Sequence, residues 1–354
     1  MVAEEFDFVV GVDTHRDNHS AAVLNRAGVI LTRLQVGACE AGYQQLLELA
    51  KAKAPGSRLW AVEGTRSYGL GVTRYLQARG ERVGEVDVPK RQARTRGKSD
   101  SIDAERAARQ ALAQPRVAQP RADGEREALR MLVLEREQLV QWRTEACQQI
   151  GNLLLGLPEQ QRAGLRFSGS HAWERLLKAC ARLQADPQAE FENRIRLGTI
   201  SRLAERAQEF EKAAAALYRE IGRLVAKMSP KLSAEPGVGP ATGAQVLLVW
   251  SHAGRFDRES GFARIAGAAP LPASSGQIVR HRLSRLGDRK LNAALSTIVL
   301  NRRRYHQPTK QYVQRRRQTN KTDREISRCL KRYLARHLFR LLESSASTRT
   351  NVLS

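Results

Sequence analysis

Hydrophobic and polar positions change spacing several times over the first 90 residues. Continuous or alternating apolar runs rich in β-branched residues predict strands, and apolar residues three and four apart predict amphipathic helices. Three strands come first, then a helix, a strand, a second helix and a fifth strand. The predicted strands cover residues 6–15, 20–28, 29–37, 57–65 and 81–88, and the helices cover 41–54 and 69–80.

This βββαβαβ order predicts an α/β domain of the ribonuclease H-like fold. In that fold the first and fourth strands are parallel neighbours, so residues at their carboxyl ends face one crevice. Asp13 ends the first predicted strand and Glu63 ends the fourth. The pattern therefore predicts that two carboxylates lie side by side.

The sequence becomes helical between about residues 125 and 228. Apolar residues spaced three and four apart predict a coiled-coil seam, and they are Ile200, Leu203, Ala207, Phe210, Ala214, Leu217, Ile221 and Leu224. An earlier helix has similar spacing at Leu132, Leu139, Trp142, Ala146, Ile150 and Leu153. Pro and Gly between 156 and 170 indicate a break. The two helices pair either within one chain or between chains.

The net charge of the chain narrows the classes of molecule that it is expected to bind. The chain of 354 residues has 42% hydrophobic residues, enough for globular domains, and a formal net charge of +24. A positive charge of this size attracts polyanions. Nucleic acid is the favoured target, and a membrane surface is the competing one. Neither a membrane-spanning run nor a signal peptide is indicated, so we expect a cytoplasmic protein that does not bind membranes. The four cysteines lie far apart and are expected to be reduced thiols.

The carboxyl-terminal third carries most of the surplus charge. Residues 280–340 contain nineteen Lys or Arg and three acids. Before them lies a glycine-rich segment, 235–276, and after them a polar tail that is expected to be disordered. We therefore predict a catalytic domain at 1–120, a coiled-coil oligomerisation region at 121–230, a small, mainly helical domain at 231–342 and a disordered tail at 343–354.

Two further acids stand near the first pair of carboxylates in the predicted fold. Asp100 and Asp103 are three residues apart at the start of a helical pattern, which places both on one helix face. Together with Asp13 and Glu63 they would supply hard oxygen ligands for Mg²⁺ in phosphoryl transfer. The alternative is that the two helix acids are caps and the other two are ordinary turn or loop acids.

Three other features have a plain structural interpretation beside a functional one. His15 and His19 lack a third ligand nearby, so a structural role is favoured over metal binding. The turn around Gly237 and Gly239 fits either a DNA-binding helix-hairpin-helix or a simple linker. Ser274 and Ser275 lie in a predicted loop before basic residues, where a serine could act as a nucleophile or serve only as loop.

Five segments in this order resemble the insertion-sequence one-ten (IS one-ten) family of DEDD transposases. They are GVDTHRDNH (11–19), AVEGT (61–65), KSDSIDAERAAR (98–109), EPGVGPATG (235–243) and GAAPLPASSG (267–276). The resemblance covers most of the chain. It implies a RuvC-like first domain, a coiled-coil middle and a carboxyl-terminal transposase domain.

By this resemblance Asp13, Glu63, Asp100 and Asp103 form a tetrad that binds Mg²⁺, with Mn²⁺ as an alternative. Ser275, better than Ser274, matches the family's nucleophile, which forms a 5′-phosphoserine link to DNA. The family's use of a structured guide RNA implies an RNA partner beside donor and target DNA. It also implies dimers or tetramers. The second glycine that often follows the serine in this family is missing here.

The predicted function is therefore a transposase or recombinase that inserts and excises a mobile element. One alternative is a nuclease of the Holliday-junction resolvase type, which would use the same carboxylates with water as nucleophile. Another is a non-catalytic nucleic-acid-binding protein whose charge supplies affinity through counterion release.

Overall fold

The chain consists of two compact units, Met1–Ala122 and Asp123–Ser354. The computed structural model describes residues 1–86, 100–165, 171–272, 281–283 and 287–350. For residues 100–101, 271–272, 281–283 and 347–350 it describes the backbone only. The boundaries of the predicted division into three domains and a tail stay predictions.

A five-stranded sheet forms the centre of the first unit, with helices on both faces. In chain order its elements are α1 (Val2–Glu5), β1 (Phe8–Thr14), β2 (Asn18–Asn25), β3 (Ile30–Gly37), α2 (Glu40–Lys53), β4 (Arg58–Glu63), α3 (Leu70–Gln77), β5 (Arg82–Val86) and α4 (Asp100–Leu112). The strand order is β3-β2-β1-β4-β5, with β1 antiparallel to β2 and parallel to β4. This arrangement is consistent with the predicted ribonuclease H-like fold.

Strands β1, β2 and β4 are buried on both faces, and successive side chains of each strand point to opposite sides of the sheet. On β1, Val10 and Val12 pack with residues of α2 and α3, whereas Val9 packs with the alanines of α4. On β4, Leu59 and Ala61 lie on the same side as Val9. The odd-numbered positions of β1 and β4 therefore face α4.

Gly11 allows α4 to lie directly against β1. A Cβ added at Gly11 would stand 2.0 Å from the carbonyl oxygen of Ala104 and 2.6 Å from the amide nitrogen of Ala108. Both atoms belong to the helix backbone, so no side-chain rotation could relieve the clash. The small residues on this face of α4 allow its backbone to contact β1 at Gly11, which lies two residues before Asp13.

The second unit is mainly helical. Its elements are α5 (Glu125–Leu155), α6 (Glu159–Ala163), α7 (Ala172–Gln184), α8 (Phe191–Met228), α9 (Pro230–Ser233), α10 (Pro240–Trp250), α11 (Glu259–Ile265), β6 (Pro270–Pro272), β7 (His281–Leu283), α12 (Arg289–Tyr305), α13 (Gln307–Gln318) and α14 (Asp323–Thr350). The strands β6 and β7 pair antiparallel, with Pro272 opposite His281.

The two long helices α5 and α8 pair within the chain as an antiparallel hairpin. Ile221 and Val225 share a core with Leu129 and Val133, at the start of α5. At the other end of the hairpin, Ile150 packs in a cluster with residues of α7 and the first half of α8. The predicted seam residues Ile200, Ala207, Ala214 and Ile221 are buried. Of the two pairings that the heptads allow, this structure contains the one within the chain.

A second core holds the carboxyl-terminal helices together. Helix α10 lies inside it, with all residues from Val246 to Trp250 buried, and Phe262 and Phe339 stack beside them at 6.0 Å between ring centroids. Because α10 is apolar on all sides, the neighbouring helices of this unit must surround it.

The prediction of a disordered tail from residue 343 is wrong up to residue 350, since α14 continues to Thr350. Leu342 is buried and Ala346, one turn later, packs against the same core. The carboxylate of Glu343 accepts hydrogen bonds from the Trp250 indole at 2.7 Å and from the amide of Gly254 at 3.2 Å. These contacts extend the helix beyond the point where the sequence becomes polar.

All four cysteines are free thiols, as predicted, and Cys180 is the buried one. Among the described helices, none is both long enough and apolar enough to cross a bilayer.

We predict that Gly11→Ala destabilises the first unit. The added methyl group would push α4 away from β1, and overpacking of this kind costs about 1–3 kcal/mol. Thermal unfolding followed by circular dichroism measures the change. The control is Gly151→Ala, near the carboxyl end of α5, where an added Cβ meets no atom within 4 Å. That variant should be up to about 1 kcal/mol more stable than the parent. A Gly11→Ala chain that melts like the parent would contradict the tight approach of α4.

Candidate active site

Two carboxylates lie at adjacent strand ends, as predicted. In the parallel pair, Val12 stands opposite Val62, so Asp13 and Glu63 follow at the next position of each strand. The hydroxyl of Thr14 donates a hydrogen bond of 2.9 Å to the carbonyl oxygen of Glu63 and ties the two strand ends together. Both acids continue the series of odd-numbered positions that face α4.

The turn after β4 depends on a glycine. Gly64 has a φ of +64°, a left-handed conformation that favours glycine over other residues. The chain therefore bends immediately after Glu63, and the Ser67 hydroxyl donates to the Gly64 carbonyl at 3.1 Å. This turn explains why glycine follows the acid in the AVEGT segment.

Asp103 on α4 is the third acid at this edge of the sheet. It precedes Ala104, whose carbonyl oxygen approaches Gly11. Burial, followed by the negative charges of Asp13 and Asp103, raises the pKa of Glu63 above its ordinary value. Three of the four predicted acids are therefore close enough to influence one another. The side chain of the fourth, Asp100, lies outside the described residues, although its backbone begins α4.

Two basic side chains contact these acids, and the sequence analysis assigned neither of them to the site. The His15 Nε2 lies 3.1 Å from Oδ2 of Asp13, whose carboxylate is almost completely buried. Arg106 donates to Oδ1 of Asp103 at 2.7 Å. The i to i+3 spacing of Asp103 and Arg106 on a helix could have indicated the second pair. His15 directly follows the last residue of β1, two residues after Asp13, so its side chain can reach the carboxylate of Asp13.

His19 has the structural role that was favoured for it. It is fully buried, its Nδ1 lies 2.9 Å from the Asn18 carbonyl oxygen, and its ring stacks on Tyr43 with 5.6 Å between centroids. Burial lowers the pKa of His19, which keeps the ring neutral. It takes part in the packing of the sheet against α2.

The acids offer the donors that a hard divalent cation prefers, namely carboxylate oxygens. Burial and, after it, the charges of Asp13 and Asp103 raise the pKa of Glu63, and a bound cation would offset the repulsion among these carboxylates. Within the described residues, no three Asp, Glu, His or Cys side chains lie close enough together to hold a metal ion. The chemistry of the acids therefore fits a metal, and the described side chains do not by themselves form a complete set of ligands.

Two predicted features lie in the second unit. Ser274 and Ser275 fall outside the described residues, in the segment that joins the paired strands β6 and β7. The glycine-rich turn lies between α9 and α10, where Gly237 has a φ of +79°. A Cβ at Gly237 would lie 3.0 Å from the carbonyl oxygen of Ile298, so packing against α12 also requires this glycine. A phosphate contact at this turn stays a prediction.

Two family models match the chain in the order that the sequence segments suggested. A model of IS110-type DEDD transposases, described as a transposase, matches residues 10–157, which include all four acids. A model described as the transposase IS116/IS110/IS902 family matches residues 229–314, which include both serines. Together they cover about two thirds of the chain. No curated protein matches it significantly. From these two matches, and from a sheet that brings the acids together, we conclude that the chain belongs to the IS110 family of DEDD transposases and is a DNA transposase.

Proposed function

We propose that Asp13, Glu63, Asp100 and Asp103 hold Mg²⁺, with Mn²⁺ as an alternative, and that this site cleaves DNA strands during insertion and excision of a mobile element. The observation that carries the proposal is the position of Asp13 and Glu63 at adjacent parallel strand ends, with Asp103 of α4 near enough for its charge to help raise the pKa of Glu63. Asp103 pairs with Arg106 and Asp13 contacts His15, yet the three carboxylates still lie near one another at a strand edge that is typical of ligand sites.

The bound metal would neutralise charge on the phosphate and activate the attacking oxygen. The chain itself supplies the geometry around it. Asp13 is held by His15 and by the rigid end of β1, and Asp103 is held by Arg106 and the backbone contact at Gly11. The Thr14 hydrogen bond fixes the separation of the two strand ends. Oriented carboxylates of this kind lower the cost of arranging the site during the reaction.

We further propose that Ser275 is the nucleophile. Its Oγ would attack the phosphorus, the new bond would join serine to the 5′ phosphate, and the bond to the 3′ oxygen would break. The serine proton would pass to a base and the departing 3′ oxygen would take up a proton. The phosphodiester energy would remain in the serine ester for rejoining. The pairing of Pro272 with His281 supports this role because it anchors the segment that carries the serine.

The proposed partners are donor DNA, target DNA and a structured guide RNA. Nineteen basic residues against three acids in residues 280–340 support binding of nucleic-acid backbones. If base pairing by the RNA selects the sequence, the protein needs to recognise mainly shape and phosphate.

The hairpin of α5 and α8 supports a proposal of self-association. Much of its seam is buried within the chain, and a partner copy would meet the part of the seam that stays open around Trp142 and Phe210. Trp142 is 45% exposed and packs on Phe210 at 5.6 Å between ring centroids. The two rings line an open cavity of about 290 Å³ between the helices. A second copy would cover this apolar surface in a dimer.

We predict that removal of a carboxylate abolishes strand cleavage without unfolding the chain. Loss of a metal ligand costs several kcal/mol in the transition state, so Asp13→Ala or Glu63→Ala should cleave at least about 100-fold more slowly. Cleavage of DNA carrying the element's ends, with Mg²⁺ present, measures this. Asp17→Ala, which removes an exposed acid four residues after Asp13, is the control and should cleave normally. Normal cleavage by either site variant would end the metal proposal.

We predict that burial, together with the charges of Asp13 and Asp103, makes the ionised form of Glu63 costly in the absence of metal. Since the pKa of Glu63 is higher in the folded chain than its ordinary 4.5, this cost is absent below pH 4.5 and grows as pH rises through the folded value. At neutral pH in a chelator, Glu63→Gln should therefore melt at a higher temperature than the parent.

Added Mg²⁺ should raise the melting temperature of the parent chain and change that of Glu63→Gln much less. The control is Glu48→Gln, an exposed acid on α2, which should respond to Mg²⁺ like the parent. A parent chain that is indifferent to Mg²⁺, or a Glu63→Gln chain that is less stable in chelator, would contradict the site.

We predict that cleavage leaves a covalent protein–DNA adduct, visible on denaturing gels, that is lost in Ser275→Ala and kept in Ser274→Ala. The reverse pattern would identify Ser274 as the nucleophile. Cleavage without any adduct would favour the resolvase alternative, in which water attacks. Family membership already decides against the alternative of a non-catalytic binding protein.

A further inference from the structure

Two tyrosines and two arginines of α13 and α14 form a cluster that the catalytic proposal does not use. The rings of Tyr312 and Tyr333 meet edge to face with 6.1 Å between centroids. The guanidinium carbons of Arg315 and Arg316 lie 5.8 and 6.0 Å from the centroid of Tyr312. We call these four residues the Tyr312–Tyr333 surface. Tyr333 is 54% exposed.

The arginines of this surface differ from their neighbours in their partners. Arg317 forms two hydrogen bonds of 3.0 Å with Asp323, and Arg303 also contacts that acid at 3.1 Å. Among the described residues, no acid lies within ion-pair distance of Arg315 or Arg316. In the same part of the chain, the Nε of Arg316 is buried without a hydrogen-bond partner. Arg315 is exposed and Arg316 is half-buried, so Arg315 offers its charge to an anion more fully than Arg316 does.

Tyr333 also lines a small open pocket. Its volume is about 130 Å³, and it is lined by the apolar side chains of Val299, Leu330 and Leu334 and by Arg302, Thr309 and His337. This is close to the roughly 150 Å³ cavity that accepts a benzene ring.

The charge of the pocket is already balanced. Glu235 accepts hydrogen bonds from Arg302 at 2.6 Å and pairs with Nε2 of His337 at 2.8 Å. The pocket therefore suits a flat, neutral ring better than a phosphate. Burial raises the pKa of Tyr312, so its phenol stays uncharged and does not repel an approaching anion.

We propose that the Tyr312–Tyr333 surface binds an unpaired base of a single-stranded nucleic acid. The base stacks on Tyr333 at the mouth of the pocket, and the flanking phosphates meet Arg315 and Arg316. Duplex bases are already stacked on one another and cannot offer a free face, so the ligand is a single strand. The inference deepens the proposed function, because strand exchange and a guide RNA both present unpaired bases, and it rests on that function.

The test is the binding of full-length protein to one labelled sequence as single-stranded DNA, as single-stranded RNA and as duplex DNA, by fluorescence anisotropy. Loss of one stacked base weakens binding by about 5- to 150-fold, so Tyr333→Leu should lose this factor on a single strand. Duplex binding should change less than about twofold. Tyr333→Phe keeps the ring and should bind like the parent. Phe191→Leu alters an exposed aromatic residue on α8 and serves as the matched control.

Salt dependence tests the phosphate contacts separately. Arg315→Gln should reduce the slope of log affinity against log salt by about 0.7 on a single strand. A preference for RNA or for DNA would identify which strand supplies the base, and either preference supports the surface.

The proposal is overturned if Tyr333→Leu binds single strands like the parent, if it loses duplex binding equally, or if Phe191→Leu has the same effect. A parent chain that binds no single strand would also overturn it. All measurements are repeated in Asp13→Ala, which keeps this surface intact. Failure of base binding is thereby distinguished from failure of the catalytic proposal, because the first appears in affinity and the second in cleavage.

Discussion

Direct contact between the backbone of α4 and strand β1 determines the arrangement of the acids. At Gly11 there is no room for a side chain between the strand and the helix, so α4 lies as close to the sheet as a helix can. Asp103 precedes the contact on the helix, and Asp13 follows it on the strand. Repulsion among the carboxylates destabilises this arrangement. The apolar packing of α4 against Val9, Leu59 and Ala61 stabilises it and offsets the repulsion. Packing therefore stabilises a concentration of charge that the acids alone would not adopt.

The sequence predicted the sheet well because its strands are strongly apolar and its turns carry glycine. The side-chain period of two also indicates that Asp13 and Glu63 face the same way, since each continues an odd-numbered apolar series. The packing of α4 was harder to predict. A glycine between two valines, such as Gly11, does not by itself indicate that a helix backbone contacts the strand there. The contact of His15 with Asp13 was not predicted, because the spacing of His15 and His19 indicated only a choice between metal binding and a structural role.

Two features of the second unit could not be derived from local pattern. Heptads specify an apolar stripe but not its partner, so only the structure shows α5 against α8 in the same chain. The polar composition after Leu342 predicted disorder, whereas long-range contacts of Glu343 and Ala346 extend the helix. Net charge was a similarly incomplete guide to how many arginines can bind a ligand. Arg302, Arg303 and Arg317 are engaged by acids within the fold, so the surplus overstates the number of arginines that can meet a ligand.

The antiparallel hairpin sets a length inside the molecule. Helix α8 has 38 residues, which corresponds to about 57 Å at 1.5 Å per residue. Alanines at its seam bring α5 close, and separate apolar clusters brace the two ends. Helix α8, braced by the shorter α5, is thus a stiff spacer whose length equals roughly 17 base steps of duplex DNA at 3.4 Å each. Two molecules bound at its opposite ends would therefore be held at a constant separation.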